Sequence, residues 1–436
     1  MTMENEFVIN KDEILEASKA REESAFLTEK RTEALDKLNS LDMIKPDKTR
    51  VSKWDFFTVT DQFVESEAFG SIEELPQVVR EVIDIETVEN VIIQRNNTEA
   101  FVKLSDDLVS QGVIVESIFD AANNHPELLE KYFMTDAVQI DENKLTAYHA
   151  ALLNGGVFVY VPKNVQVKDP IQMVVLHDDE KASLFNHVLV VADTGAEVTY
   201  VENYVTTLES GKGKLNIVSE VIAKDNAKIK YGAVDFLAKA LVGYIVRRGV
   251  TGNDAVIDWA LGLMNDSDVI YDNTTYLMGS GSSSDVKIVH VGRGNQKSNF
   301  TTEVIHYGKE TTGNILKHGV MKDSASSVFN GIGYIKHGAT NSDAQQESRV
   351  LMLSPKARGD ANPILLIDED EVVAGHAASA GQVDEIQLFY LMSRGLSRQE
   401  AERLVIHGFL APVVESIPIE SVKQLLTAVI EEKIVN

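Results

Sequence analysis

Short apolar runs alternate with small and polar residues through the middle of the chain. The runs have the length of β-strands and include Val188–Val191, Val218–Ile222, Leu241–Val246 and Val286–Val291. Five turn-like signatures recur among them: Gly195-Ala196-Glu197-Val198, Asn226-Ala227-Lys228-Ile229, Asp254-Ala255-Val256-Ile257, Ser283-Ser284-Asp285-Val286 and Thr312-Gly313-Asn314-Ile315. Their second positions are 31, 28, 29 and 29 residues apart. A period of this length, carried by strands rather than by paired helices, predicts a parallel β-solenoid.

The repeat also predicts how large the solenoid is. With about 29 residues in a coil and about 4.8 Å between adjacent coils, the chain between positions 150 and 375 gives about eight coils and a rod about 40 Å long. Growth along one axis allows a chain of 436 residues to avoid the size limit of a single globular core. We therefore predict that residues 151–382 form the β-solenoid core.

The region before the solenoid, residues 1–150, is predicted to form a mixed helical and α+β domain. Residues 10–43 are rich in Glu, Lys, Ala and Leu, and their apolar positions fall at helical spacing until Pro46 stops the pattern. Residues 54–64 are predicted to be extended, and residues 71–82 to form a short helix. Residues 78–150 then mix strands with helices.

The region after the solenoid, residues 383–436, is predicted to be helical. A helix over Asp384–Arg394 is followed by Gly395 in the C′ position, where a left-handed residue is favoured. Ser397 and Glu400 form a capping-box sequence that opens a second helix, and Pro418 leads a third helix with an apolar face. This face has two interpretations: it covers the open end of the solenoid, or it is a docking surface for another protein.

Composition excludes several classes of function. The net charge is −26, with 67 acidic and 41 basic side chains, which disfavours binding to nucleic acid and to anionic membranes. No stretch approaches the roughly 20 apolar residues of a membrane helix, and the acidic start of the sequence lacks the pattern of a signal peptide. These features predict a cytoplasmic protein. The absence of cysteine excludes disulfides, a thiolate nucleophile and thiolate metal ligands of the chain's own.

Residues between Phe329 and Phe409 carry an ordered set of small, acidic and aromatic positions. The set comprises Gly338-Ala339, Gln345-Gln346, Arg349 to Ser354, Pro363, Asp370-Glu371-Val372, His376, Gly381-Gln382, Asp384, Leu388-Phe389-Tyr390-Leu391-Met392-Ser393-Arg394-Gly395, Glu400-Ala401 and Gly408-Phe409. It resembles the C-terminal core motif of the SufB/SufD scaffold family of the SUF iron–sulfur cluster assembly system. Gly156 to Pro162 is similar to the family's entry into its β-helix, and the resemblance covers most of residues 26–410. The lack of cysteine favours the SufD branch over the SufB branch.

The resemblance implies a fold and a set of partners. Members of the SufD branch are right-handed parallel β-helices with helical N-terminal and C-terminal domains. They pair with the cysteine-bearing SufB-type paralogue through the β-helices and bind the SufC-type ATPase through the C-terminal helices. We accordingly expect a non-enzymatic scaffold subunit that holds no cofactor alone and shares a transient iron–sulfur cluster with its partner.

The resemblance also singles out His376. The matching histidine of the family is implicated in the cluster-building site at the SufB interface, where an imidazole can ligate iron beside a partner's thiolate and carboxylate. Ala374 departs from the pattern, because some SufD proteins carry cysteine there, and His376 is then the one soft ligand that the motif keeps. The alternative is that His376 is a hydrogen-bonded interface residue without iron.

The C-terminal part of the motif is the expected docking surface for the ATPase. The residues predicted to form or support this contact are Phe389, Tyr390, Arg394, Ser397, Glu400, Ala401, Gly408 and Phe409. Arg394 has a second interpretation, in which its charge complements the dipole at the helix C-terminus.

Two other functions are compatible with the pattern. Many parallel β-helices are polysaccharide lyases or hydrolases that use carboxylates in a groove, although no pair of aspartates recurs on successive coils here. A homodimer with a storage or regulatory role is the second alternative, because a surface that pairs with a homologue can also pair with itself.

Overall fold

Strands make up most of the protein in the computed structural model, which describes residues 11–59, 61–83, 87–417 and 419–435. Its helices are α1 (Lys11–Ala20), α2 (Ala25–Lys37), α3 (Gln77–Val82), α4 (Asp106–Ser110), α5 (Ile118–Asn124), α6 (Pro126–Tyr132), α7 (Lys144–Leu152), α8 (Glu385–Ser393), α9 (Arg398–Val414) and α10 (Glu420–Val435). Its strands are β1 (Asn90–Arg95), β2 (Thr98–Lys103), β3 (Ile114–Ser117), β4 (Gly155–Val161), β5 (Ile171–His177), β6 (Asn186–Ala192), β7 (Glu197–Thr206), β8 (Lys214–Ala223), β9 (Lys228–Asp235), β10 (Val242–Thr251), β11 (Val256–Leu263), β12 (Asp268–Leu277), β13 (Ser283–Gly292), β14 (Lys297–His306), β15 (Thr312–Met321), β16 (Ser326–Ile335), β17 (Asp343–Met352), β18 (Arg358–Ile367) and β19 (Val373–Gln382).

The strands form two sheets. Sheet A has the order β19-β17-β15-β13-β11-β9-β7-β5-β1-β2, and sheet B has the order β18-β16-β14-β12-β10-β8-β6-β4-β3. From β4 onward the chain alternates between the sheets and each strand pairs in parallel with the strand two places later, so the pairs from β4/β5 to β18/β19 stack as about eight coils. The prediction of a mainly β parallel solenoid with helical parts at both ends is confirmed.

A left-handed residue marks the turn that leads from sheet B to sheet A in successive coils. Gly195, Asn226, Asp254, Gly281 and Glu310 have φ between 53° and 71°. Their backbone N–H groups donate to the turn of the next coil, as Asn226 does to the Asn253 carbonyl at 2.7 Å. Gly, Asn and Asp tolerate this conformation best, which is why the turns are visible in the sequence.

The sequence-based alignment of the turns is wrong by two residues at the fourth and fifth signatures. The first three signatures begin at the left-handed residue, but Ser283 and Thr312 lie two positions after it. The strand register accordingly pairs Ile257 with Ser284 rather than with Val286. Because side chains alternate with a period of two, this shift leaves the assignment of faces unchanged, so the fold was predicted correctly despite it.

Side chains from both sheets fill the interior of the solenoid between them, which we call the bore. On sheet A the rings of Tyr200, Tyr231 and Trp259 follow one another with centroids 5.2 and 4.9 Å apart. On sheet B the rings of Tyr271, Phe300 and Phe329 stack at 4.9 and 4.8 Å. The ladders join consecutive coils, so their aromatic contacts fix the stacking of the rod.

The N-terminal region covers the outer face of sheet B. Val218, Ile222, Tyr244 and Val246 point outward from that sheet and pack against α7 and its neighbours in one apolar cluster. Buried Arg31 on α2 pairs with Glu23 at 2.8 Å and donates to the carbonyls of Ala151 and Leu153 at 2.9 and 2.6 Å. These bonds tie the first helices to the start of the solenoid.

The C-terminal helices cover the outer face of sheet A. Residues of α9 and α10 share an apolar cluster with outward-facing Val201, Val234, Ala260, Val289 and Val320. This position accounts for two glycines, since a Cβ on Gly232 or Gly262 would lie 2.6 Å from Val422 or Leu426 of α10. The apolar face of the tail therefore lies along the side of the rod, and the interpretation that it covers the open end is wrong.

The local signals of the C-terminal region are found as predicted. Gly395 follows α8 with φ of 100°, a left-handed conformation. At the start of α9 the Ser397 hydroxyl accepts a hydrogen bond from the backbone N–H of Glu400 at 3.2 Å. The Glu400 carboxylate in turn accepts from the backbone N–H of Ser397 at 2.8 Å, which completes the capping box. Pro418, predicted to lead the last helix, lies outside the described residues. None of the helices in the described ranges is long and apolar enough to cross a membrane.

Candidate interfaces at the open end and on the C-terminal helices

The last coil of the solenoid, β18 and β19, is exposed to solvent. Each of these strands pairs on one side only, because they stand at the ends of their sheets. Apolar side chains on or beside them are exposed, with Ile364, Leu366, Ile367 and Val373 between 37 and 60 % accessible. Unpaired strand edges with apolar side chains favour association with another strand. We call this surface, formed by β18 and β19, the open end.

His376 lies at the open end. It is on β19, in register with Gln346 of β17, which is in turn in register with Ile315 of β15. Ile315 belongs to the buried bore, so alternation places His376 on the bore-facing row of the terminal strand. Its side chain is exposed there, and Ala374, Ala378 and Ala380 are its neighbours on that face. The imidazole is therefore accessible to another molecule that covers the open end.

The described residues do not supply the other ligands of a metal site at His376. No group of three or more His, Cys, Asp or Glu side chains in the described ranges is arranged to hold a metal ion. An iron ion bound by His376 would need ligands from a second protein. The prediction that His376 is an iron ligand therefore stays a prediction.

Helix α8 carries an exposed apolar surface. Ile386, Phe389 and Tyr390 are 77, 72 and 56 % accessible, while Leu388 on the opposite side is fully buried against Ala401 and neighbouring residues. Arg394 donates to the Tyr390 hydroxyl at 2.9 Å, and its guanidinium lies 5.0 Å from the ring centroid. Phe389, Tyr390 and Arg394 are thus brought together on one helix, with two aromatic side chains available for contact.

The remaining docking candidates are mainly structural in this chain. Ser397 and Glu400 cap α9, and Ala401 is buried between α8 and α9. Phe409 is half-buried with its ring 5.0 Å from that of His318, whose Nδ1 lies 2.8 Å from the Phe409 carbonyl. Gly408 is exposed with open space above it. These residues support the helical surface, whereas Phe389 and Tyr390 form it.

A buried network joins the N-terminal region to the solenoid. His149 Nδ1 lies 3.1 Å from the Asn216 carbonyl, which only accepts, so His149 Nε2 must accept from His187 Nδ1 at 3.1 Å. His187 Nε2 is 3.0 Å from the carboxyl of Glu220, and one shared proton must therefore lie between them. Burial raises the pKa of Glu220 to about 8 and lowers that of His187 to about 3, which places the proton on Glu220.

Sequence reasoning missed this network because its members come from separate elements. Glu220 also accepts from the backbone N–H groups of Met134 and Val138 at 2.7 and 3.1 Å. A glutamate at an outward position of a strand is ordinarily solvated, and nothing local in the sequence marks Glu220 as buried. The structure buries β8 along its whole length, although the sequence of this strand mixes polar and apolar residues and so does not indicate it.

Comparison with known proteins shows that both halves of the chain match models of one protein family. Residues 14–173 match the family model described as the SufBD protein N-terminal region, and residues 174–409 match the one described as SUF system FeS cluster assembly, SufBD core domain. The chain is 54 % identical over 436 residues, all of both proteins, to the iron–sulfur cluster assembly protein SufD of Bacillus subtilis.

More distant relatives support the same assignment. The chain is 28 % identical over 380 residues to an iron–sulfur cluster assembly SufBD family protein of Staphylococcus saprophyticus, covering 85 % of this chain and 81 % of that one. It is 27 % identical over 417 residues to a SufBD family protein of Staphylococcus epidermidis, covering 93 and 89 %. The family models, the full-length match to a SufD protein and the parallel solenoid agree: this chain belongs to the SufB/SufD family of the SUF iron–sulfur cluster assembly system.

Proposed function

We propose that this protein is a scaffold subunit, without an enzymatic activity of its own, of a complex that assembles iron–sulfur clusters. Its relative in Bacillus subtilis carries the name of an assembly protein. The observation that carries the proposal is the open end, where two strands, each with one unpaired edge, expose apolar side chains near His376. A second solenoid of the same family presents the kind of strand edge that such a surface accepts.

The partner at the open end is the cysteine-bearing paralogue of the SufB type. Because this chain has no cysteine, any thiolate for a cluster must come from another protein. His376 is exposed on the bore-facing row, where it would face the partner's side chains across the junction. The cluster is the cargo of the complex, and His376 supplies one ligand while it is assembled.

The ATPase of the SufC type binds the surface of α8. Phe389 and Tyr390 are exposed aromatic side chains, a type enriched among residues that dominate binding energy at interfaces. Arg394 holds the Tyr390 hydroxyl and orients its ring. This surface is continuous with β19 along the chain, so a movement of the ATPase would act directly next to the open end.

Assembly of the complex in cells that express all three proteins tests the proposal. Deletion of residues 383–436 is unsuitable, because it would expose the apolar face of sheet A that α9 and α10 cover. We would instead purify tagged wild type and Val373→Asp, with Val109→Asp as the control. Both valines are exposed, at 60 and 57 %, but only Val373 lies at the open end.

The outcome is measured by native mass. We expect wild type and Val109→Asp to carry the paralogue and the ATPase, and Val373→Asp to lose the paralogue and keep the ATPase, because a carboxylate would be buried without a partner at the junction. Retention of the paralogue by Val373→Asp would contradict pairing at the open end. A self-paired wild type lacking the paralogue would favour the homodimer.

A further inference from the structure

An unpaired lysine lies inside the bore, close to the open end. Lys317 on β15 occupies a bore-facing position between Ile315 and Met321, and its side chain is fully buried. Its ammonium donates to the Asn330 carbonyl at 2.6 Å. Within the described ranges no carboxylate forms an ion pair with it. The other fully buried lysine, Lys433, differs because it lies 3.0 Å from Asp266.

Two side chains near Lys317 have buried polar atoms without partners. Ser348 is in register with Lys317 on the next coil, is 1 % accessible, and its Oγ makes no hydrogen bond. Gln346 is 6 % accessible; its Nε2 donates to the Ile364 carbonyl at 2.8 Å, but its Oε1 has no partner. Leaving such atoms unsatisfied costs about 1–3 kcal/mol each unless something binds them.

Gly331 of the facing sheet makes room for these polar groups. A Cβ on Gly331 of the facing sheet would lie 2.3 Å from Gln346 Oε1 and 3.4 Å from Lys317 Nζ. Both polar atoms therefore lie over the same backbone position, and a larger residue there would displace the Gln346 carboxamide. Lys317, Gln346 and Ser348, with Gly331 as the floor, form what we call the bore site.

The open end leads toward the bore site. Ala378 of β19 is in register with Ser348, and His376 is in register with Gln346. Ala378 is exposed, so no large side chain of the terminal strand covers Ser348 from the open end. Gln346 and Ser348 therefore lie one strand below the terminal strand of sheet A, and Lys317 lies two strands below it, all facing the bore as His376 does.

The chemistry of these groups defines what they would bind. A buried ammonium without a counter-charge favours an anion, and the Ser348 hydroxyl is a second donor. Burial lowers the pKa of Lys317 to about 7, because the ammonium loses its hydration. The Gln346 oxygen requires a donor on the bound species. A large oxyanion would need more donors than these groups supply, and chloride has no donor to offer.

We propose that the bore site of Lys317, Gln346 and Ser348 binds a small sulfur anion of the hydrosulfide class. Hydrosulfide carries one negative charge and lone pairs for Lys317 and Ser348, and its S–H group can donate to Gln346. This assignment rests on the proposed role in cluster assembly, which requires sulfur at the junction below His376. The bore site then holds inorganic sulfur next to the place where the cluster forms.

Thermal unfolding of the full-length chain alone tests the bore site. Sodium hydrosulfide and sodium chloride would be compared at equal ionic strength with wild type, Lys317→Met, Gln346→Glu and Lys433→Met. A ligand that binds the folded state raises Tm with its concentration. Because the chain has no cysteine, a response to hydrosulfide cannot arise from reaction with a thiol.

We expect hydrosulfide to raise the Tm of wild type and of Lys433→Met, and chloride to have no such effect. Lys317→Met replaces the ammonium side chain by an apolar side chain of similar length. Gln346→Glu introduces a carboxylate that pairs with Lys317 and so competes with a bound anion. Both variants should weaken hydrosulfide binding by about tenfold or more, which is at least 1.4 kcal/mol. Gln346→Glu keeps Lys317 in place and so serves as the test if Lys317→Met does not fold.

Three results would overturn this inference. They are a wild type that does not respond to hydrosulfide, an equal response to chloride, and an unchanged response in Lys317→Met or Gln346→Glu. None of them depends on a partner protein. A failure here is thus distinguishable from a failure of complex assembly, which Val373→Asp tests separately.

Discussion

His376 is the last member of a row of bore-facing side chains that runs along sheet A from coil to coil. By register the row runs through Tyr200, Tyr231, Trp259, Val286, Ile315, Gln346 and His376, one residue for each coil from β7 to β19. It begins with buried aromatic rings, continues with aliphatic side chains and becomes polar toward the open end. Burial decreases along the same direction, since Tyr200 is fully buried and His376 is exposed. The polar end of the row lies at the open end, where its last side chain, His376, is accessible to a partner.

Replacement of His376 by alanine should separate its chemistry from its structural role. The side chain is exposed, so His376→Ala should leave Tm and complex assembly unchanged. If the imidazole ligates iron, cluster yield on the purified complex should fall about tenfold or more, because even loss of an outer-sphere partner costs a metal site that much. Absorbance and iron content would measure the yield.

His337 provides the matched control for this experiment. It is also an exposed histidine, with 89 % of its side chain accessible, but it lies on a turn outside the bore-facing row. His337→Ala should keep the wild-type cluster yield. Equal yields from His376→Ala and wild type would remove the ligand role and leave His376 as an interface residue.

At the scale of elements, the turns and caps were predictable and the register was not. Gly195, Asn226 and Asp254 are visible as turn residues because few side chains tolerate a left-handed backbone. Glu310 occupies the same position without any such preference, so the turn before β15 was placed two residues late. The bore site was equally hidden, because Lys317 and Ser348 are far apart in the chain and meet only through the register of β15 and β17.

Substitutions at the turns should show how much the left-handed position contributes to stability. Gly281→Ala would add a Cβ at φ of 69° and 2.3 Å from Asp254 Oδ1. We expect a loss of about 1–2 kcal/mol in the free energy of unfolding. Gly408→Ala in α9, where a Cβ meets open space, should instead add about 0.5–1 kcal/mol. Urea unfolding measures both, and losses of equal size would contradict the role of the backbone conformation.

Helix α8 allows a test of ATPase docking without disturbing the solenoid. Phe389→Ser combined with Tyr390→Ser removes two exposed rings, and because neither packs in the core the Tm should be unchanged. Affinity for the ATPase should fall by about 2 kcal/mol or more, as for aromatic residues that dominate an interface. Met278→Ser, at a residue 51 % accessible on a distant turn, should bind normally in calorimetry. Unchanged affinity of the double variant would place docking elsewhere.

At the scale of the whole molecule, each outer face of the solenoid is partly covered and one end is open. The N-terminal region packs on sheet B and helices α9 and α10 pack on sheet A. Among the described residues, β18 and β19 are the terminal strands of the two sheets at this end, and apolar side chains on or beside them are exposed. The proposed pairing with a paralogue would therefore meet the bore at this end, while α8 remains available for the proposed docking of the ATPase.

The covering of sheet B by the N-terminal region should depend on pH through Glu220. Its carboxyl binds the backbone of Met134 and Val138 and shares a proton with His187, and burial raises its pKa from 4.5 to about 8. A group whose pKa is higher in the folded state stabilises the protein below its unfolded pKa, and that stability is lost as the pH rises toward the folded pKa.

Comparison of wild type with Glu220→Gln isolates this effect, since other buried groups titrate alike in both. The amide of glutamine can donate to His187 at every pH, so the variant does not lose that bond when the solution becomes basic. The difference in unfolding free energy, wild type minus variant, should decrease by about 1.4 kcal/mol per pH unit between pH 4.5 and about 8. Glu180→Gln, which removes an exposed glutamate paired with Lys212, controls for the loss of charge. A difference for Glu220→Gln that stays constant across this range in urea unfolding would mean that the folded pair binds no more protons than the unfolded chain does, and would contradict a protonated Glu220.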